Sequence, residues 1–140
     1  MIKVVLDTDI FVSGILNSNG IPGQILKAWQ ENKFTLVTST PIIKEIKQVL
    51  NSEKIQGFLK KHNVVKEDLN DFFLTLNFNA LVIEPTLKVG IIKEDPGDNK
   101  FLECALMAKA EFIVSGDKHL LKLKSYENIK VVSAIKFINL

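Results

Sequence analysis

The 140-residue chain contains no arginine; all eighteen of its basic residues are lysines. Guanidinium forks for phosphate or guanine are therefore excluded, and lysines remain as point-charge contacts. Cys104 is the single cysteine, so neither an internal disulfide nor a cysteine-based zinc cluster can form within one chain. Its neighbours Phe101, Leu102, Ala105 and Ala108 place it on a buried helix face as a core residue. The two histidines, His62 and His119, are isolated and supply no ligand set. No apolar run reaches the roughly 18 residues needed to cross a membrane. Met1-Ile2-Lys3 leads straight into a strand without a signal-peptide pattern, so a cytoplasmic location and no membrane partner are expected. The net charge of +2 permits a polyanionic partner without arguing for one. Linkers, repeats and low-complexity segments are absent as well, and a single domain over residues 1–140 is expected.

What is present is an alternation of short apolar runs with amphipathic stretches. Residues 2–6, 34–37, 81–83, 112–114 and 129–132 read as strands. Val4-Val5-Leu6 in succession suits a strand buried on both faces, as in parallel sheets. Between them, helical spacing appears over about 22–31, 41–50, 53–61, 66–77, 98–108 and 119–123, and residues 86–94 read as loop. Ser39-Thr40-Pro41 is a hydroxyl cap with proline at the helix start. This order implies an α/β fold, a three-layer α/β/α sandwich around a mostly parallel sheet of about five strands with right-handed crossovers.

Four acidic residues stand where such a sheet places ligands, at strand carboxyl ends and the amino ends of following helices. Asp7 and Asp117 follow strands directly. Glu45 lies in the first turn and a half of a helix, on the flank of its apolar stripe, and Asp98 opens the helix that leads into Phe112-Ile113-Val114. Gathered carboxylates raise one another's pKa values and destabilise the fold unless a cation compensates. Magnesium or manganese fits an all-oxygen set, and such an ion activates water against a phosphate ester. Each acid also has a purely structural reading. Asp95 before Pro96 reads as an N-cap, Asp98 as its capping-box partner, Asp117 as a turn residue and Glu45 as a solvated helix glutamate.

Taken in order, Val4-Val5-Leu6-Asp7-Thr8-Asp9-Ile10-Phe11-Val12-Ser13-Gly14, Glu45-Ile46 before Val49-Leu50, Asp95-Pro96-Gly97-Asp98-Asn99-Lys100-Phe101-Leu102-Glu103-Cys104-Ala105 and Ile113-Val114-Ser115-Gly116-Asp117-Lys118-His119-Leu120-Leu121 resemble the PIN domain, a metal-dependent ribonuclease family. They resemble in particular its branch of toxins from toxin–antitoxin pairs. The resemblance implies an acidic pocket holding one or two Mg²⁺ or Mn²⁺ ions and hydrolysis of single-stranded RNA by an activated water. It implies Asp7 as central metal ligand and Asp98 as a second, with Glu45 and Asp117 completing the metal shell or orienting the water. Thr8 and Ser115 would support the carboxylates by hydrogen bonds. An antitoxin protein and a homodimer are the partners it implies, with the stretches 53–61 and 66–77 as candidate docking faces. Asp9 departs from the family, which usually has asparagine there, and adds a charge.

Three other readings stay open at this point. Asp7-Thr8-Asp9 also resembles the opening of haloacid-dehalogenase-like phosphatases, although Leu121 stands where their late motif needs an acid. A phosphate-accepting receiver domain wants an aspartate ending the third strand, where this chain has Ile83-Glu84-Pro85. A non-catalytic binding module on the same fold is the third.

Overall fold

A computed structural model describes residues 1–140. The five expected strands are all present: β1 (Lys3–Leu6), β2 (Thr35–Ser39), β3 (Leu81–Ile83), β4 (Phe112–Val114) and, beyond the short β5 (Ser125–Tyr126), β6 (Ile129–Val132). They form one sheet in the order β3-β2-β1-β4-β6-β5. Every pairing is parallel except β5 with β6. The mostly parallel sheet of about five strands is present, with the two-residue β5 as a sixth at its edge. β5 was missed because two residues are too short for any hydrophobic period to register.

Eight helices cover the sheet: α1 (Thr8–Leu16), α2 (Ile21–Gln30), α3 (Thr40–Leu50), α4 (Glu53–Lys61), α5 (Lys66–Asn79), α6 (Asn99–Ala108), α7 (Lys118–Leu123) and α8 (Ala134–Ile138). Helices α1 and α8 carry no sequence stripe. In α1, Thr8, Ile10, Phe11, Val12 and Gly14 are buried and only Asp9 and Ser13, one turn apart, are exposed polar residues, so the polar face is too narrow to stand out against the apolar one. The result is the three-layer α/β/α sandwich. Val4, Val5 and Leu6 have no exposed surface, as burial under helices on both faces requires. They join a continuous core of 32 residues that includes Trp29, Leu36, Ile46, Leu102 and Ile113.

Strand order decides where a ligand can sit. From β1 the chain steps to β2 and β3 on one side, then returns through α6 to β4 on the other. The switch point lies between β1 and β4, where Val5 pairs with Ile113 and Leu6 with Val114. Crossovers diverge there and leave a crevice at the carboxyl edge. Residues 84–95 keep to that edge after β3 and deliver the chain to the amino end of α6. Buried Asn99 fastens this segment: its Oδ1 accepts from the Ile92 amide at 2.9 Å, and its Nδ2 donates to the Ile92 carbonyl at 3.0 Å. Glu103 adds a second tie by accepting from the Val89 amide at 3.1 Å.

Candidate metal centre

The crevice at the switch point is a cavity of about 190 Å³ lined by Asp7, Thr8, Asp9, Glu45, Asp95, Asp98, Phe101 and Asp117. All four acids picked out in the sequence meet there, and two more join them.

Asp7 forms the buried floor, with 3 % of its surface exposed. It ends β1 and caps α1, its Oδ1 accepting from the Ile10 amide at 3.0 Å. Its Oδ2 accepts from the Ser115 hydroxyl and from the Gly116 amide at 3.3 Å, both on the loop after β4. Burial dominates these stabilising bonds and pushes the Asp7 carboxyl up to about 6. Ser115 is thus the brace expected of it. Thr8 is not: its Oγ1 is buried and makes no hydrogen bond to any carboxylate.

Asp117 caps α7, its Oδ1 accepting from the His119 and Leu120 amides at 2.7 and 3.3 Å. The Ser115 hydroxyl receives the Asp117 amide at 2.9 Å, so one serine sets both loop aspartates. The histidine nearest the pocket contributes only its backbone, while His62 contacts the Phe58 carbonyl at the far end of α4.

Asp95 precedes and Asp98 ends the short 3-10 turn Pro96–Asp98 that leads into α6. Neither side chain makes a capping hydrogen bond, so the alternative reading of the pair as a capping box does not hold. Asp95 holds the N-cap position expected of it, its carbonyl accepting from the Asp98 amide at 3.0 Å, while its carboxylate joins Asp98 and Asp117 in a cluster whose ligand oxygens lie within 4.8 Å of one another. Asp98 Oδ2 is buried without a partner. Burial first, then the charges of Asp117 and Asp95, raise the Asp98 carboxyl to about 7. The Asp-Pro-Gly-Asp spacing was the signal for Asp95. Three residues apart across a 3-10 turn, two side chains eclipse and face the same way.

Glu45 comes from α3, which Ser39 starts by accepting from the Ile42 amide at 3.4 Å. Its Oε2 is ion-paired with the ammonium of Lys100. Asp9 stands at the mouth, and partial desolvation of its carboxyl there, followed by the charges of Asp117 and Glu45, raises its pKa. Cys104 lies outside the site; burial pushes its thiol up to about 12, which makes it inert.

On the far side of the Pro96–Asp98 turn lies a second cavity, of about 590 Å³, whose lining includes Lys88, Lys93 and Lys100. One turn therefore separates an acidic pocket from a lysine-lined hollow.

A parallel sandwich with a carboxylate pocket at its switch point defines a class of site, an acidic pocket with the oxygen ligands to hold a cation in an α/β/α fold. Comparison narrows the class to a family: the PIN domain profile matches residues 3–119, and the chain belongs to the PIN domain family. It is 37 % identical over 123 residues to the uncharacterized protein MJ1680 of Methanocaldococcus jannaschii, covering 88 % of this chain and 76 % of that protein. Its fold is similar to a chain in the crystal structure of VapBC2 from Rickettsia felis bound to a DNA fragment from their promoter. That likeness has a TM-score of 0.59 at 15 % identity, over 94 % of this chain and 98 % of the other.

Proposed function

We propose that this chain is a divalent-cation-dependent endoribonuclease that cuts single-stranded RNA. The observation that carries the reading is the buried, unpartnered Asp98 Oδ2 set against Asp95 and Asp117. A carboxylate oxygen withdrawn from water without a donor is costly, and a bound cation removes the cost. The donor set is entirely oxygen and contains no histidine or thiolate, which fits Mg²⁺ or Mn²⁺ and not zinc. Asp98 and Asp117 would hold the ion with Asp95, and Asp7 would complete the set from the floor. Such an ion, when bound, supplies a water of lowered pKa and offsets charge on a phosphodiester.

The chain's own residues do the rest. Ser115 and Gly116 hold Asp7 in one orientation, and the α7 amides hold Asp117, so the carboxylates do not reorganise during reaction. At about 190 Å³ the pocket falls below the usual range for small-molecule sites and takes a phosphate group and water, not a base. That favours recognition of an extended backbone, whose neighbouring phosphates would lie along Lys88 and Lys93. Leu121 stands four residues after Asp117, where the phosphatase reading needs a second acid, which disfavours that reading.

The likeness to VapBC2 supports a role as toxin of a toxin–antitoxin pair. Exposed apolar side chains along α4, α5 and their junction support a protein partner there, either an antitoxin or a second copy: Phe58, Val65, Leu74 and Phe78. No helix is long and apolar enough to cross a membrane.

The test is incubation of the purified chain with labelled single-stranded RNA and Mn²⁺ or Mg²⁺. Cleavage is expected, and EDTA or Asp98→Asn should abolish it. Activity that survives both controls would sink the carboxylate–metal mechanism. Binding of RNA without cleavage under any divalent ion would favour the non-catalytic module.

A further inference from the structure

Six carboxylates surround the pocket, and one of them already carries a cation of this chain. Lys100 leaves the first turn of α6 and its ammonium meets Glu45 Oε2. The same Nζ donates to the Gly97 carbonyl at 2.6 Å and lies 5.3 Å from the centroid of the Phe101 ring. Its side chain is 19 % exposed. The ammonium therefore joins α3, which bears Glu45, to the turn that bears Asp95 and Asp98. No ammonium stands in ion-pair contact with Asp95, Asp98 or Asp117.

We propose that Lys100 is a resident counter-cation: it occupies the Glu45 side of the pocket, so the chain binds one divalent ion, on the side of Asp7, Asp95, Asp98 and Asp117, and Glu45 is a positioning residue and not a metal ligand. The proposal rests on the cation-site reading above and adds its stoichiometry. An ion at Glu45 would have to displace the ammonium and break its bond to Gly97.

Calorimetric titration with Mn²⁺ alone, on wild type, Lys100→Met, Lys100→Arg and Glu45→Gln, tests this without reference to activity. Wild type and Lys100→Arg should bind one ion per chain, and Lys100→Met two. In EDTA, Lys100→Met should melt several degrees below wild type, and Mn²⁺ should restore it. Glu45→Gln should keep one ion with affinity within about threefold of wild type, a result that does not depend on Lys100→Met folding. Two ions in wild type, one in folded Lys100→Met, or a tenfold loss of Mn²⁺ affinity in Glu45→Gln would each overturn the counter-cation while leaving the metal centre standing. No Mn²⁺ binding to wild type would overturn the metal centre, and the counter-cation with it.

Discussion

Asp7 and Asp98 are both raised, to about 6 and about 7, and both chiefly by burial. Their shared direction fixes how stability varies with pH. Unfolded carboxylates titrate near 4, so between about pH 4 and 7 the folded state binds more protons than the unfolded one. Metal-free protein should therefore lose stability as pH rises through that window and reach its low plateau above it. Urea midpoints in EDTA at pH 5, 6, 7 and 8 should fall in that order, and saturating Mn²⁺ should flatten the trend. Asp98→Asn removes the uncompensated charge without removing a cap. It should raise the metal-free melting temperature at pH 8 by about 2–5 °C. It should also abolish stabilisation by Mn²⁺ and lower cleavage by about a hundredfold or more. A destabilised Asp98→Asn that still responds to Mn²⁺ would contradict this assignment. The residue scale is also where sequence reading is incomplete for Asp95 and mistaken for Thr8. A carboxylate before Pro96 has the composition of an N-cap, and only the 3-10 turn shows that its oxygen faces Asp98. Thr8 has the composition of a brace, yet its hydroxyl finds no acceptor.

At the scale of elements, the site depends on two helix starts. Ser39→Ala removes the cap of α3, with an expected loss of about 1 kcal/mol by denaturant unfolding. Asn99 has a larger share, because it satisfies both backbone groups of Ile92 and donates to the Pro96 carbonyl at 3.1 Å. Asn99→Ala leaves those groups unpaired in a buried place and should cost about 2 kcal/mol. It should also speed hydrogen exchange at Ile92 and open residues 84–95 to proteases, with cleavage falling because Asp95 and Asp98 hang from that segment. Unchanged exchange at Ile92 would show that the segment is held by other contacts. In the sequence these ties look like nothing more than polar residues in a helix start. The acceptor of Asn99 is seven residues away along an irregular path, and no period announces it.

For the whole molecule, charge is arranged more sharply than the net +2 indicates. Six carboxylates lie on one side of the Pro96–Asp98 turn and Lys88 and Lys93 on the other, with Lys100 reaching across to Glu45. Lys88→Ala with Lys93→Ala should weaken RNA binding for every sequence tested. The double variant should lower the dependence of log K on log salt by about 1.4, that is, two contacts at about 0.7 each for a single strand. Stability and Mn²⁺ affinity should stay as in wild type. An unchanged salt slope, measured by anisotropy between 50 and 200 mM salt, would place the RNA elsewhere.

The sequence by itself determined the alternation of elements, the double burial of β1, the starts of α3 and α6, and the four acids at strand and helix ends. Those features are local: each depends on a hydrophobic period or a cap within a few residues. The tertiary structure decided which residues share a pocket, and how. Strand order brought Ser115 onto Asp7 from 108 residues away. Residues 84–95, without a period of their own, carried Asp95 into the cluster, and helix packing set Lys100 on Glu45. Convergence of this kind depends on crossovers and long-range contacts, whose cost and reward appear only once the chain has closed on itself.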